Sequence, residues 1–299
     1  KMKFVIAPDS FKGSLTAKEV ATAIQTGIKR VYPDADYELV PMADGCEGTV
    51  QSLVDATHGK LIDCQVHNPL NQVVTAHYGL LGDGKTAVIE MAQASGIHYI
   101  NEKTRNPLIT TTYGTGEMML DAAKHGIDRI IIGIGGSATN DGGAGMAQAL
   151  GVDLLDKNGQ QLPVGGGALD QLDHILTDHV EPTIKQVKVL IASDVTNPLT
   201  GPNGASAVFG PQKGSTPDMI KQLDANLHHY AEIIKQDLGK DLEQKPGAGA
   251  AGGLGTGLMA FTNSEMAKGI DIVINFTHLK ERAKGADFVF TGEGGIDFQ

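Results

Sequence analysis

Residues Ile130 to Gly145, IIIGIGGSATNDGGAG, narrow the choice of fold more than any other stretch: a β-branched run gives way to a glycine-crowded loop closed by Asn140 and Asp141. The run reads as a buried strand and a helix is expected past Gly143, so the segment is one strand–loop–helix unit. Without a Cβ, glycine lets backbone N–H groups turn inward toward an anion, and a helix start at Gly143 adds its positive end. The plainer reading is a tight turn without a ligand. Against it stand six glycines in the thirteen residues from Gly133 to Gly145.

The same alternation recurs along the chain. Lys3–Pro8 reads as a strand, and Thr16-Ala17-Lys18-Glu19 is a capping box opening a helix to about Val31. A second unit follows, with strand Tyr37–Met42, loop Ala43–Gly48 and a helix over Val50–Thr57. Strand-like stretches Leu61–Val66, Val73–Leu81 and Thr86–Met91 then interrupt the pattern with hairpins. Helix Gly116–His125, strand Ile130–Ile134, strand Val187–Ala192 and helix Asp218–Leu238 restore it. After the glycine cluster Gly247–Gly257 come a helix to about Asn263, strand Asp271–Phe276, a helix from Thr277 and strand Asp287–Thr291. The expected class is α/β: a doubly wound, mostly parallel sheet domain interrupted by an inserted, mixed-sheet α/β domain. A parallel strand needs a covering helix, yet Gln299 follows the last glycine loop closely, which reads as an incompletely represented protein.

With 24 Lys and Arg against 35 Asp and Glu, the chain carries a net charge of −11 and no basic cluster, which argues against nucleic acid and anionic membrane surfaces. An anionic substrate then needs local compensation by backbone amides, a divalent cation or a lysine. Cys46 and Cys64 make no disulfide or metal framework and fit a reducing, cytoplasmic setting. No apolar run approaches membrane-spanning length.

Two familiar strings are weaker than they look. Gly79–Thr86 matches the Walker A pattern GxxxxGK[ST], but a P-loop must sit between a strand and a helix, whereas Asp83-Gly84 lies between two strand-like stretches and reads as a hairpin turn. Gly133–Ala138 satisfies the dinucleotide pattern GxGxxA, but Asp153 and Asp156 come too soon for its acidic partner. A different regularity carries more weight: Asp9, Asp44, Asp141, Asp194, Glu293 and Asp297 each follow the carboxyl end of an expected strand. That edge is where open α/β sheets bind ligands, although any one of these acids could simply cap a turn. Together with glycine-lined loops they suit a magnesium–nucleotide complex. Lys12 stands in the first such loop, where its ammonium could offset phosphate charge or simply be solvated. Arg105 precedes Asn106-Pro107 and could hold a carboxylate. The histidines, including His228-His229, show no metal-ligand spacing.

The series DSFKGS (Asp9–Ser14), MADGCEGT (Met42–Thr49), NPL with YGTGE (Asn106–Glu117), GGSATNDGG (Gly135–Gly143), SDVTNPL with GPNGA (Ser193–Ala205), PGAGAAGGLG (Pro246–Gly255) and TGEGGID (Thr291–Asp297) resembles the bacterial glycerate kinase family, type I, in order along the whole chain. The resemblance implies phosphorylation of glycerate by ATP with Mg²⁺. It also implies two α/β domains, residues 1–70 with 285–299 and an inserted 71–284, with the site in the cleft between them and a homo-oligomer left open. On this reading Lys12 and Asp194 are catalytic. Asp9, Ser10, Asp44, Arg105, Asn140 and Asp141 bind substrate, while Gly135, Gly136, Ser137, Gly252, Gly253 and Glu293 bind the nucleotide. Asp194 and Asp297 meet the metal. Cys46 replaces a glycine of the family pattern, which implies a strained or crowded loop, and the family continues beyond TGEGGIDFQ. The competing readings are a P-loop NTPase, a glycerate dehydrogenase and an inactive folded fragment.

Overall fold

The structure, a computed structural model, describes residues 1–45 and 48–295. Its described strands, in chain order, are β1 Lys3–Ile6, β2 Asp36–Leu39, β3 Lys60–His67, β4 Val73–Leu80, β5 Thr86–Glu90, β6 Arg129–Gly133, β7 Asp153–Leu155, β8 His174–Leu176, β9 Lys188–Ala192, β10 Asn263–Ala267 and β11 Phe288–Phe290. They form a three-stranded parallel sheet ordered β11-β1-β2, a six-stranded mixed sheet ordered β10-β9-β6-β5-β4-β3, and the small antiparallel pair β7-β8. In the large sheet β5, β6, β9 and β10 run parallel, and β3 and β4 attach as antiparallel neighbours of β5. The chain is therefore α/β, with parallel strands and a hairpin segment sharing one sheet.

The isoleucine run explains the position of β6. Ile130 and Ile132 point into one apolar core while Ile131 points into another, and β9 repeats the pattern with Val189 and Ile191 against Leu190. A strand apolar on both faces belongs at the centre of a covered parallel sheet. One face packs against helices Tyr113–Ala123, Ala144–Ala149 and Pro217–Leu238 through Met118, Met119, Met146, Leu227 and Tyr230. The other face packs on helices Thr49–Thr57 and Gly269–Phe276 through Val50, Leu53, Ile272 and Val273. That second core also takes in Val5, Ala7, Val40 and Met42, so the two larger sheets share it.

One expectation needs correction. Residues 271–276 form the helix Gly269–Phe276 rather than a strand, because Gly269, Ile272 and Val273 fall on one buried face at i, i+3 and i+4. β-Branched composition alone disguised that period. The strand in this region is β10, whose polar sequence NSEMA suits an edge and carries Glu265 opposite Lys188, with Nζ and Oε1 3.1 Å apart. In the same sheet, β3 pairs along its whole length with β4. The capping box is present as read: Thr16 accepts the Glu19 N–H at 3.2 Å and Glu19 accepts the Thr16 N–H at 2.8 Å. No described helix is long and apolar enough to cross a membrane.

The Walker string lies in the turn between β4 and β5. The Asp83 carboxylate accepts the Lys85 and Thr86 N–H groups at 2.8 and 3.0 Å and the Thr86 hydroxyl at 2.8 Å, and a strand follows where a P-loop needs a helix. The dinucleotide pattern fails on the same test. Its helix does not begin until Ala144, and the next strand, β7, pairs with β8 instead of returning beside β6.

Candidate active site

The carboxyl ends of the two larger sheets meet. Gly45, in the loop after β2, is packed so closely that a Cβ there would lie 2.7 Å from the Gly269 Cα and 3.4 Å from the Ala192 Cβ. A Cβ on Gly133, the last residue of β6, would lie 2.7 Å from the Gly45 carbonyl oxygen. The loops after β1, β2, β6, β9 and β11 thus gather around one cleft edge, the ligand-binding edge of an open α/β sheet.

From the smaller sheet come Asp9, Ser10, Lys12, Asp44 and Glu293. The Asp9 N–H donates to the Gly292 carbonyl at 2.8 Å and the Thr291 hydroxyl donates to the Ala7 carbonyl at 3.1 Å, which locks the loops after β1 and β11 together. Asp9 is half-buried. Burial raises its carboxyl above the usual aspartate range, and the negative charges of Asp44 and Glu293 push the same way against the Ser10 N–H held at 2.5 Å. Lys12 is exposed on the adjoining loop, which Phe11 closes through its N–H to the Leu15 carbonyl at 2.9 Å. From the larger sheet, Asp194 stands exposed two residues beyond Ala192, and Gly135 and Gly136 lie open to solvent just past β6. Glu90, at the carboxyl end of β5, is an acid the sequence reading missed. Its carboxylate accepts the Val50 N–H at 3.0 Å, and the strand-end rule applied to TAVIE would have found it.

Other expected contacts lie elsewhere. Asn140 and Asp141 are fully buried, which removes both from the cleft surface. Asp141 accepts the Thr112 N–H and hydroxyl at 2.9 and 2.8 Å and the Gly143 and Gly145 N–H groups at 3.0 and 3.2 Å, so it fastens the starts of two helices. Full burial pushes its carboxyl upward against those four donors. Asn140 donates to the Ser206 hydroxyl at 2.8 Å. Ser137, next to the open glycines, is buried and accepts the Thr139 N–H at 3.0 Å.

Gly252 and Gly253 are buried as well, with φ of 66° and 89°, inside a left-handed stretch of helix Ala250–Phe261. A Cβ on Gly252 would fall 1.8 Å from the Thr139 carbonyl oxygen, while its own carbonyl accepts the Gly142 N–H at 3.0 Å. Close chain-to-chain approach therefore accounts for this glycine pair, and of the expected nucleotide-binding glycines only Gly135 and Gly136 are exposed. Arg105 is exposed, its stem laid against Gly214. Cys46 and Asp297 lie outside the described residues.

The donor chemistry admits a nucleotide's magnesium ion. Asp194 stands exposed on the loop after β9, and Asp44 and Glu293 add negative charge at the same edge, a setting that favours a divalent cation. No three ligand-type side chains among the described residues stand close enough to cage a metal.

Residues 4–299 match the model of the glycerate kinase family. A glycerate kinase of Haemophilus influenzae is 58% identical over all of this chain, which spans 79% of that relative. A glycerate 2-kinase of Escherichia coli is 53% identical, again over all of this chain and over 78% of its own length. A crystal structure from Salmonella typhimurium LT2, of a protein given the name glycerate kinase 2, superposes with a TM-score of 0.97 at 51% identity and covers 99% of this chain and 79% of that one. The chain belongs to the glycerate kinase family of phosphotransferases.

Proposed function

We propose that this chain transfers the γ-phosphoryl group of magnesium ATP to the 2-hydroxyl of glycerate, as a type I member of its family. The observation that supports this most is the convergence of Asp9, Asp44, Asp194 and Glu293 with the open Gly135-Gly136 pair at one cleft edge. The name of the Escherichia coli relative favours the 2-position. Gly135 and Gly136 offer backbone amides to the phosphates, and Lys12 neutralises charge that builds up during transfer. Asp194 and Asp297 hold the metal ion, which when bound draws charge from the phosphate oxygens. Asp9 accepts the proton of the attacking hydroxyl, a role better matched to its raised proton affinity than to the exposed Asp194. Arg105 holds the substrate carboxylate. The two larger sheets serve as lobes whose closure excludes water, in a cytoplasmic enzyme.

Glycerate-dependent ADP release, followed by positional analysis of the product, tests the reading. Formation of 2-phosphoglycerate is expected, and ADP release that ignores glycerate would refute it. The hairpin position of the Walker string adds a second expectation. Lys85→Ala leaves kcat/KM within about twofold of the parent, because Lys85 follows a β-turn remote from the gathered loops. A loss of about a hundredfold would restore the P-loop reading.

A further inference from the structure

Lys213 takes no part in the reaction above, yet it is among the most deeply buried side chains of the molecule, 1% exposed. It ends the short turn Pro211–Lys213. Its Nζ donates to the Thr139 carbonyl at 2.6 Å and to the Ser137 hydroxyl at 3.3 Å. The Ser137 hydroxyl also pairs with that of Thr139 at 2.9 Å, so the ammonium gathers both residues immediately after the open Gly136. On its other side the turn meets Arg105: a Cβ on Gly214 would lie 2.7 Å from the Arg105 Cγ. One turn is thus wedged between the phosphate-facing loop and the arginine.

A lysine is rarely buried whole, and a glycine-rich loop has little rigidity of its own. A short, charge-assisted bond to a loop carbonyl supplies that rigidity where an apolar side chain could not. We propose that Lys213 is a positioning residue for the nucleotide, its buried ammonium pinning Ser137 and Thr139 so that the Gly135 and Gly136 amides face the phosphates. This rests on the reading of that loop as the phosphate site. Burial lowers Lys213 to about 7, and the charge of Asp141 acts in the opposite sense. Around it, the Tyr230 phenol is buried in the field of the same Asp141, and Arg105 contributes its stem. Lys213 is charged below about pH 7 and neutral above, so the pin weakens as pH rises through that value.

The test is calorimetric titration of magnesium ATP into the unmodified protein, Lys213→Met, Ser137→Ala and Gly136→Val between about pH 6 and 8.5, with thermal unfolding measured alongside. Lys213→Met is expected to bind ATP about 30-fold more weakly at pH 6, to raise the KM for ATP more than it lowers kcat, and to lose the affinity change near neutrality. The terminal phosphate of ATP titrates alike in every sample, so the difference between proteins isolates the lysine. Equal affinity and equal pH dependence in Lys213→Met overturn the proposal. If that variant does not fold, Ser137→Ala, which removes one acceptor of the ammonium, decides: a shifted pH midpoint supports the pin and an unchanged one refutes it. Unaltered ATP affinity in Gly136→Val would instead discredit the loop as a phosphate site.

Discussion

Asp9→Asn lowers kcat for glycerate phosphorylation by about 10³-fold, or about 4 kcal/mol in the barrier, while the unfolding midpoint stays close to the parent's. Asparagine keeps the shape and can still accept the Ser10 N–H, but it cannot take a proton. The pH profile carries the sharper signature. Burial, with Asp44 and Glu293 adding to it, raises the Asp9 carboxyl, so the group is protonated and unproductive at low pH and becomes competent as pH rises through its elevated value. The parent's kcat/KM therefore climbs along an acidic limb displaced upward from an ordinary aspartate, and Asp9→Asn flattens that limb. A variant that keeps both rate and limb would move the base to Asp194, where Asp194→Asn would then show the same loss.

Gly252→Val is expected to be the most damaging single change to the fold. Its φ of 66° already disfavours any side chain, and a Cβ would sit 1.8 Å from a backbone oxygen, which cannot swing away as a side-chain tip can. A loss of about 4 kcal/mol or more follows, lowering the melting midpoint by about 10 °C or preventing folding. Gly84→Ala provides the comparison. Gly84 has a similar φ of 69° but open space around it, so only the left-handed strain applies, about 1–2 kcal/mol. Denaturant unfolding of both variants separates crowding from strain, and equal losses would show that the contact with Thr139 contributes nothing.

The fold class and the cleft edge were legible because both depend on period. Apolar runs ending in glycine or acid place Asp9, Asp44, Asp194 and Glu293 at strand ends whatever the tertiary detail. Burial of polar groups is not periodic. Asp141 and Asp194 each follow a strand, yet one fastens helix starts in the interior and the other faces water, and the difference arises from residues such as Thr112 that lie far away in sequence. Glycine is ambiguous for a related reason. Gly136 is open to a ligand and Gly252 is pressed against another strand of backbone, and both needs write the same letter. Lys213 gave no sign in the sequence, since a lysine in a Gly-Pro-Gln-Lys-Gly turn reads as solvated.

The three-stranded sheet pairs Phe4 with Phe288 and Val5 with Val289, with β1 at its centre. On the ribosome, β1 therefore waits until β10 has been made before its second neighbour, β11, emerges. The described strands of the larger sheet are under no such delay, because they lie between Lys60 and Ala267. They can assemble while β1 and β2 remain a two-stranded ribbon, marginal on its own. Closing so long a loop is entropically slow. The cleft edge, built from both sheets, then takes shape only after the described strands of the larger sheet have been made, and a nascent chain stalled before Phe288 would carry those strands without β11.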